Sequence, residues 1–273
     1  MQIAIVGCGW LGLPLAIGLQ KNGHNIVATC RTEKKASELT ALGFDTEKYE
    51  LGDVLTHNSL GKLFEAKILV LNIPVGRNSP TTEHFAKHMY KLIKHAAHSH
   101  VQNIIFISTT SVYGDNNNAV TEQSLTDPQT QSGKINLAIE KSVRESFLDK
   151  STIIRPAGLV GENRHPARFL AGKSGLLNPD NVVNLVHQDD VVCAIKNVIK
   201  DDIWGETLHL SALEHPTRAE YYTWAAKKLS LNVPSFVEGT GITSGKKIDA
   251  TRSLQMLGLS LKYPSPFDMI DSN

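Results

Sequence analysis

The stretch Ile3-Ala4-Ile5-Val6-Gly7-Cys8-Gly9-Trp10-Leu11-Gly12 decides the fold. Four apolar residues, suited to a strand buried on both faces, run into a Gly-x-Gly-x-x-Gly loop, and residues 10–22 behind it carry apolar side chains at helical spacing. In such a strand, loop and helix unit the first glycine permits the tight turn. The second lets the backbone approach a diphosphate, and the third lets the helix pack on the strand while its N-terminal amides face the anion. A second apolar strand, 25–30, follows at once, and this context reads the loop as a dinucleotide site and not as a plain turn.

Further along, strand candidates at 44–51, 68–73, 103–108 and 151–155 alternate with helix candidates at 33–42, 80–98 and 133–147. That alternation predicts an α/β protein with a Rossmann-type, doubly wound parallel sheet. After Pro156 the regular pattern fades into a Gly- and Pro-bearing stretch, 157–181, longer than an ordinary connection. A helix at 189–199, a strand at 207–210, a helix opened by Thr217 with Glu220 as a capping box, and a helix at 250–257 closed by Gly258 complete the reading. The expected organisation is an NAD(P)-binding Rossmann domain over 1–156. Residues 157–273 then form a mixed segment that completes the sheet and builds a small, interwoven C-terminal substrate lobe.

The 273 residues are 41% hydrophobic and 20% charged, the composition of an ordinary globular chain. Twenty-eight Lys and Arg against 27 Asp and Glu leave +1, which gives no general electrostatic reason to expect nucleic acid or a membrane surface as partner. Cys8, Cys30 and Cys193 lack the spacing of a disulfide framework or a zinc site. No apolar run approaches bilayer length and no basic region precedes an apolar one at the N-terminus, so the expected location is the cytoplasm.

An NAD site usually ends its second strand on an acidic residue for the ribose hydroxyls. Here the strand ends Thr29-Cys30-Arg31-Thr32, with Lys34 and Lys35 behind. Arg31 can hold a 2′-phosphate through a bidentate, charge-assisted contact, so NADP is the preferred cofactor, with NAD as the second choice. Asp53, in Leu51-Gly52-Asp53-Val54, can accept from the adenine amino group or cap the next helix. The expected cofactor contacts are Gly7, Gly9, Trp10, Leu11, Gly12, Arg31 and Asp53, with Ile73 and Pro74 at the end of the fourth strand.

At Ser108-Thr109-Thr110-Ser111-Val112-Tyr113-Gly114 the chain resembles the extended short-chain dehydrogenases/reductases, the NAD-dependent epimerase/dehydratase family that acts mainly on nucleotide sugars. The glycine loop, Gly52-Asp53-Val54, Ile154-Arg155-Pro156-Ala157, the Asn184 to Asp190 element and the Thr251 to Gly258 tail carry the same resemblance in the same order. It implies hydride transfer between a nicotinamide and a small-molecule substrate such as a nucleotide sugar. Thr109 matches the Ser/Thr that orients substrate, and Tyr113 matches a substrate-loop position; these two are the catalytic candidates. The family's Tyr-x-x-x-Lys pair is replaced by Ser132 and Asn136, neither of which exchanges protons near neutral pH. The chain thus resembles the atypical branch that lacks the standard relay. Two readings stand: an NADP-dependent oxidoreductase, epimerase or dehydratase-like enzyme, or a non-catalytic NADP(H)-binding regulator. The resemblance also implies a homodimer formed by the helices after the fourth and fifth strands.

His84 and His88 share helical spacing, but Phe85, Met89, Leu92, Ile93 and Ala96 make that segment an amphipathic helix, so no metal site is expected. Asn163, Arg164, His165, Arg168 and Lys173 give 157–181 a basic character suited either to a phosphorylated or acidic substrate or to a solvated loop.

Overall fold

The computed structural model describes residues 1–55, 60–75, 82–115 and 119–270. The first half reads β1 (Gln2–Val6), α1 (Gly12–Lys21), β2 (Asn25–Cys30), α2 (Glu33–Ala41), β3 (Asp45–Lys48), α3 (Gly61–Glu65), β4 (Ile68–Leu71), α4 (Thr82–Ala97) and β5 (Asn103–Ile107). Then come β6 (Ala119–Val120), α5 (Gln131–Phe147), β7 (Ser151–Pro156), β8 (Gly158–Val160), α6 (Ala167–Leu170), β9 (Leu185–His187) and α7 (Gln188–Lys200). The chain closes with β10 (Thr207–Leu210), α8 (Arg218–Lys228), β11 (Lys247–Ile248) and α9 (Thr251–Met256).

Seven strands form one sheet in the order β10-β7-β5-β4-β1-β2-β3. The chain starts in the middle, winds outward to β3 and then returns to the other side, the doubly wound pattern that the alternation predicts. The pairings β1 with β2 and β4, β2 with β3, β4 with β5, and β5 with β7 are all parallel. Strands β1, β4 and β7 are buried almost throughout, which explains why they read as unbroken apolar runs. Edge strand β3, Asp-Thr-Glu-Lys, is only partly buried and is shorter than the expected 44–51. It ends because Gly52, at φ +113°, turns the chain and Asp53 N donates back to Glu50 O at 3.0 Å. Strand β4 stops two residues short of the expected 73, where Asn72 turns its side chain to the glycine loop.

The contacts group into two units. The first contains Met1–Val112, Pro128–Arg155 and Ala194–Thr207. Its core joins Val6, Leu69, Leu71 and Phe106 from the sheet to Met89, Leu92 and Ile93 of α4 and Ile139 and Val143 of α5. The second takes Tyr113–Asp127, Pro156–Cys193 and the chain from Leu208 onward. Two short parallel pairs, β8 with β9 and β6 with β11, frame it around Val160, Leu185, Tyr221 and Met269. Asp190, buried here, accepts from Lys262 N at 2.7 Å and Tyr263 N at 3.3 Å and so anchors the tail. Thr217 caps α8 by accepting from Glu220 N at 3.3 Å. Among the described residues, no helix is long and apolar enough to cross a membrane.

Candidate cofactor-binding site

The three glycines of the loop are glycine for different reasons. Gly7 has φ +98°, and a Cβ there would run into the Asn72 carbonyl. A Cβ on Gly12 would run into the Gly7 carbonyl. Both are thus required by the chain itself, for the turn and for the close packing of α1 on β1. Gly9 is exposed, and a Cβ there would meet no atom of the described residues within 4 Å. Nothing among the described residues demands glycine at Gly9. What remains is space for a ligand's backbone to lie against the loop, and this fits a dinucleotide diphosphate.

The loop is held from both neighbours. Gly7 N donates to Thr29 Oγ1 at 3.1 Å, and Asn72 Nδ2 donates to Gly7 O at 3.1 Å. Helix α1 has neither a side-chain cap at its N-terminus nor an acidic residue in its first turn, so its positive end stays available to an anion. Burial pushes the Cys8 thiol up to about 11, with Lys35 opposing the rise, so the loop carries no negative charge at neutral pH. Leu11 is buried and offers only its backbone; Trp10 is partly exposed.

Arg31 follows β2 and is exposed. Lys35 pairs with Glu38 at 3.0 Å and Lys48 with Glu33 at 2.9 Å, whereas Arg31 makes no ion pair among the described residues. Asp53 folds its carboxylate back to accept from Glu50 N at 2.7 Å. The segment in which it would cap a helix, 56–59, lies outside the described residues. Ile73 packs on the core and Pro74 is exposed, both directly behind Asn72.

Thr109 and Ser111 follow β5. Ser111 N donates to Thr109 Oγ1 at 3.1 Å, and the two hydroxyls lie 3.2 Å apart. The start of α5 presses against this turn so closely that a Cβ on Gly133 would strike the Ser111 carbonyl. Ser132 Oγ lies 3.4 Å from Thr130 Oγ1, and buried Asn136 donates its amide to Ser132 O at 2.8 Å. One turn on, Glu140 receives Arg155 in a bidentate pair, at 3.0 Å and 2.5 Å, and the Ser108 hydroxyl as well. This buried triad fixes the end of β5 beside Thr109. Tyr113 belongs to the second unit, where it is buried with its hydroxyl 2.7 Å from His209 Nε2 and 3.2 Å from Thr121 O. His165 of the basic segment is also buried, 2.9 Å from the Tyr221 hydroxyl.

Asn72, Glu140 and His209 were not singled out by sequence reasoning. Asn72 stands at a strand end and Glu140 on the buried side of α5, positions whose meaning depends on which neighbour they reach.

A glycine loop open only toward solvent, on the first strand of a doubly wound parallel sheet, defines a dinucleotide-binding α/β protein. The family model described as NAD(P)H-binding matches residues 7–202, and the chain belongs to that family. Protein YeeZ of Escherichia coli K12 is 35% identical over 272 residues, covering 98% of both chains. In fold the chain is similar to the UDP-glucuronic acid 4-epimerase of Bacillus cereus in complex with NAD. The TM-score is 0.80 at 17% identity, covering 100% of this chain and 95% of that one. A short-chain dehydrogenase/reductase superfamily protein of Agrobacterium tumefaciens with bound NAD has a TM-score of 0.77 at 16% identity, covering 96% and 93%. The fold is one that this short-chain dehydrogenase/reductase superfamily structure and the epimerase structure share with the chain.

Proposed function

We propose that the chain is an NADP-dependent oxidoreductase, of the epimerase or dehydratase kind, acting on a nucleotide sugar or a related small molecule. The open face of Gly9 carries the cofactor reading. Gly9, Trp10 and the backbone of Leu11 and Gly12 would hold the diphosphate, Arg31 the 2′-phosphate and Asp53 the adenine. The nicotinamide supplies or takes a hydride when bound. Thr109 orients a substrate oxygen through its hydroxyl, held in place by Ser111 and by the Ser108, Glu140 and Arg155 triad. Ser132 and Asn136 bind and exclude but do not carry protons.

One observation favours a second reading. Asn136 spends its amide on Ser132 O, so the start of α5 offers hydroxyls and amides in place of a proton-exchanging pair. The second reading is a protein that binds NADP(H) without turnover and reports redox state. The experiment is to screen nucleotide sugars and simple carbonyl compounds for oxidation of NADPH, then to repeat any hit with Thr109→Val. Turnover that Thr109→Val weakens supports the enzyme. Tight NADPH binding with no turnover across the screen supports the regulator.

A further inference from the structure

Thr109 and Ser111 stand at the same edge of the sheet as the glycine loop. Gly7 follows the C-terminal end of β1 and Thr109 that of β5, with β4 between them and all three strands parallel. Two strand spacings separate β1 from β5, roughly 10 Å. With Arg31 on the β2 side for the adenosine half, the β4 and β5 side is left to the other half of a dinucleotide and to its substrate. Ser108, Thr110 and Val112 are buried, whereas Thr109 and Ser111 between them are half-exposed. A ligand at this edge therefore meets these two hydroxyls.

The two are not equivalent. Thr109 Oγ1 accepts from Ser111 N at 3.1 Å, the local bond by which a threonine opens a tight turn, here the 3₁₀ turn Thr110–Val112. Its proton goes to Ser111 Oγ at 3.2 Å. A hydroxyl has one proton and two lone pairs, so Thr109 keeps a single lone pair and can only accept from a ligand. Ser111 Oγ receives the Thr109 proton, and its own proton has no partner among the described residues. The main chain of Ser111 is fixed by the close approach of its carbonyl to Gly133 at the start of α5. The next hydroxyl along, on Ser132, lies 3.4 Å from Thr130 Oγ1, which caps α5 by accepting from Gly133 N at 3.1 Å.

We propose that Ser111 is a catalytic residue for carbonyl substrates and that Thr109 is its positioning residue, an inference that rests on the enzyme reading of the chain. A carbonyl oxygen can only accept, and the free proton of this hydroxyl pair belongs to Ser111. Thr109 acts through it. By donating to Ser111 Oγ it turns the Ser111 proton outward and polarises it, as in any chain of hydrogen bonds. When a carbonyl is reduced, the C=O π pair moves onto oxygen as a hydride from the nicotinamide forms the C–H bond. Ser111 stabilises that oxygen by its hydrogen bond, and water delivers the proton that completes the alcohol.

The test uses the full chain and a carbonyl compound found in the NADPH oxidation screen. Ser111→Ala should lower kcat about 10²- to 10³-fold, the loss on removing one donor to a developing oxyanion, with KM nearly unchanged. It removes one oxygen from a half-exposed position, so NADPH affinity and the circular dichroism spectrum should match the parent. Ser111→Thr keeps the hydroxyl and should recover most of the rate. Thr109→Val should lower kcat as well, and Thr109→Ser should recover it. Adding Ser111→Ala to Thr109→Val should cost far less than Ser111→Ala costs alone, because the two hydroxyls work as one chain. A larger loss in Ser132→Ala than in Ser111→Ala would overturn the proposal by moving the donor to Ser132. Turnover that survives Ser111→Ala would overturn the Ser111 assignment and leave the enzyme reading standing. A screen without turnover would overturn the enzyme reading, and the role of Ser111 with it.

Discussion

The Tyr113 hydroxyl lies 2.7 Å from Nε2 of His209, with the two rings edge to face at 5.3 Å. His209 Nδ1 is 3.0 Å from the Asp249 carbonyl, which can only accept, so Nδ1 carries a proton and donates to it, while the Tyr113 hydroxyl lies between His209 Nε2 and the Thr121 carbonyl. The His209 backbone N–H donates to Ser253 Oγ at 2.7 Å, and Ser253 in turn bonds Glu122. Tyr113 is thereby tied to β10, α9 and the chain around Glu122 within the second unit.

Tyr113→Phe should therefore cost stability, since a buried ring nitrogen loses its partner. About 1 to 3 kcal/mol is expected, read from urea denaturation, with no change in NADPH affinity. Loss of turnover with unchanged stability would instead place Tyr113 in the chemistry.

The glycines separate folding from binding. Gly9→Val should leave the circular dichroism spectrum and melting transition near those of the parent and abolish NADPH binding, because the new side chain fills only ligand space. Gly12→Ala should lower the melting transition itself, since its Cβ strikes the Gly7 backbone. Cofactor titration and thermal melts of both variants check this. Retained NADPH binding in Gly9→Val would show the loop to be a turn only.

Arg31→Ala should cost NADPH binding about 1.5 to 3 kcal/mol, the worth of a hydrogen bond to a charged group, and leave NADH binding unchanged. Isothermal titration with each cofactor measures it. Equal losses for both cofactors would remove Arg31 from the 2′-phosphate.

The buried pair of Glu140 and Arg155 makes its own prediction. Glu140→Gln leaves the Arg155 charge uncompensated and should cost about 3 to 5 kcal/mol, whereas replacing both by methionine should recover much of the loss. Denaturation curves of the two variants, compared with the parent, decide it. If the double variant were no more stable than the single one, the pair would be stabilising beyond charge compensation.

The sheet was legible because β1, β4 and β5 are buried on both faces and so are written as apolar runs. Edge strand β3 was overextended for the complementary reason: Tyr49 still bonds Cys30 O at 2.9 Å, but Gly52 then turns the chain, and apolar content does not encode that turn. The short pair β8 and β9 was missed because three-residue strands have too little period to read. Within the site, Gly7, Gly9 and Gly12 were legible as a spacing. The anchoring by Asn72 was not, because it joins residues 65 positions apart. The Ser108, Glu140 and Arg155 triad hides in the same way: its members come from the end of β5, from α5 and from β7, and the motifs that hold Ser108 and Arg155 do not show that the two meet on Glu140.

His165 ties stability to pH. Its Nδ1 accepts from Ala167 N at 3.2 Å, so the neutral ring carries its proton on Nε2, toward the Tyr221 hydroxyl. Burial, helped by the nearby Arg168 charge, pulls this imidazole down from 6.5 to about 4. His215 is pulled down to about 4 as well, chiefly by burial with Lys247 adding to it. Between those values the unfolded chain takes up protons that the folded chain refuses. The stability contributed by the neutral rings is complete above about pH 6.5 and is lost as pH falls toward 4. Each ring can account for at most about 3 kcal/mol of that loss. Denaturant midpoints from pH 4 to 7 should therefore fall more steeply for the parent than for His165→Gln, whose amide can still donate to Tyr221 but does not titrate. His215→Gln should flatten the curve by a similar amount, and the two together should flatten it most. Carboxylates titrating in the same window cancel in the comparison, so the difference in slope is the readout. Parallel curves for the parent and both variants would mean that neither imidazole is held neutral by the fold.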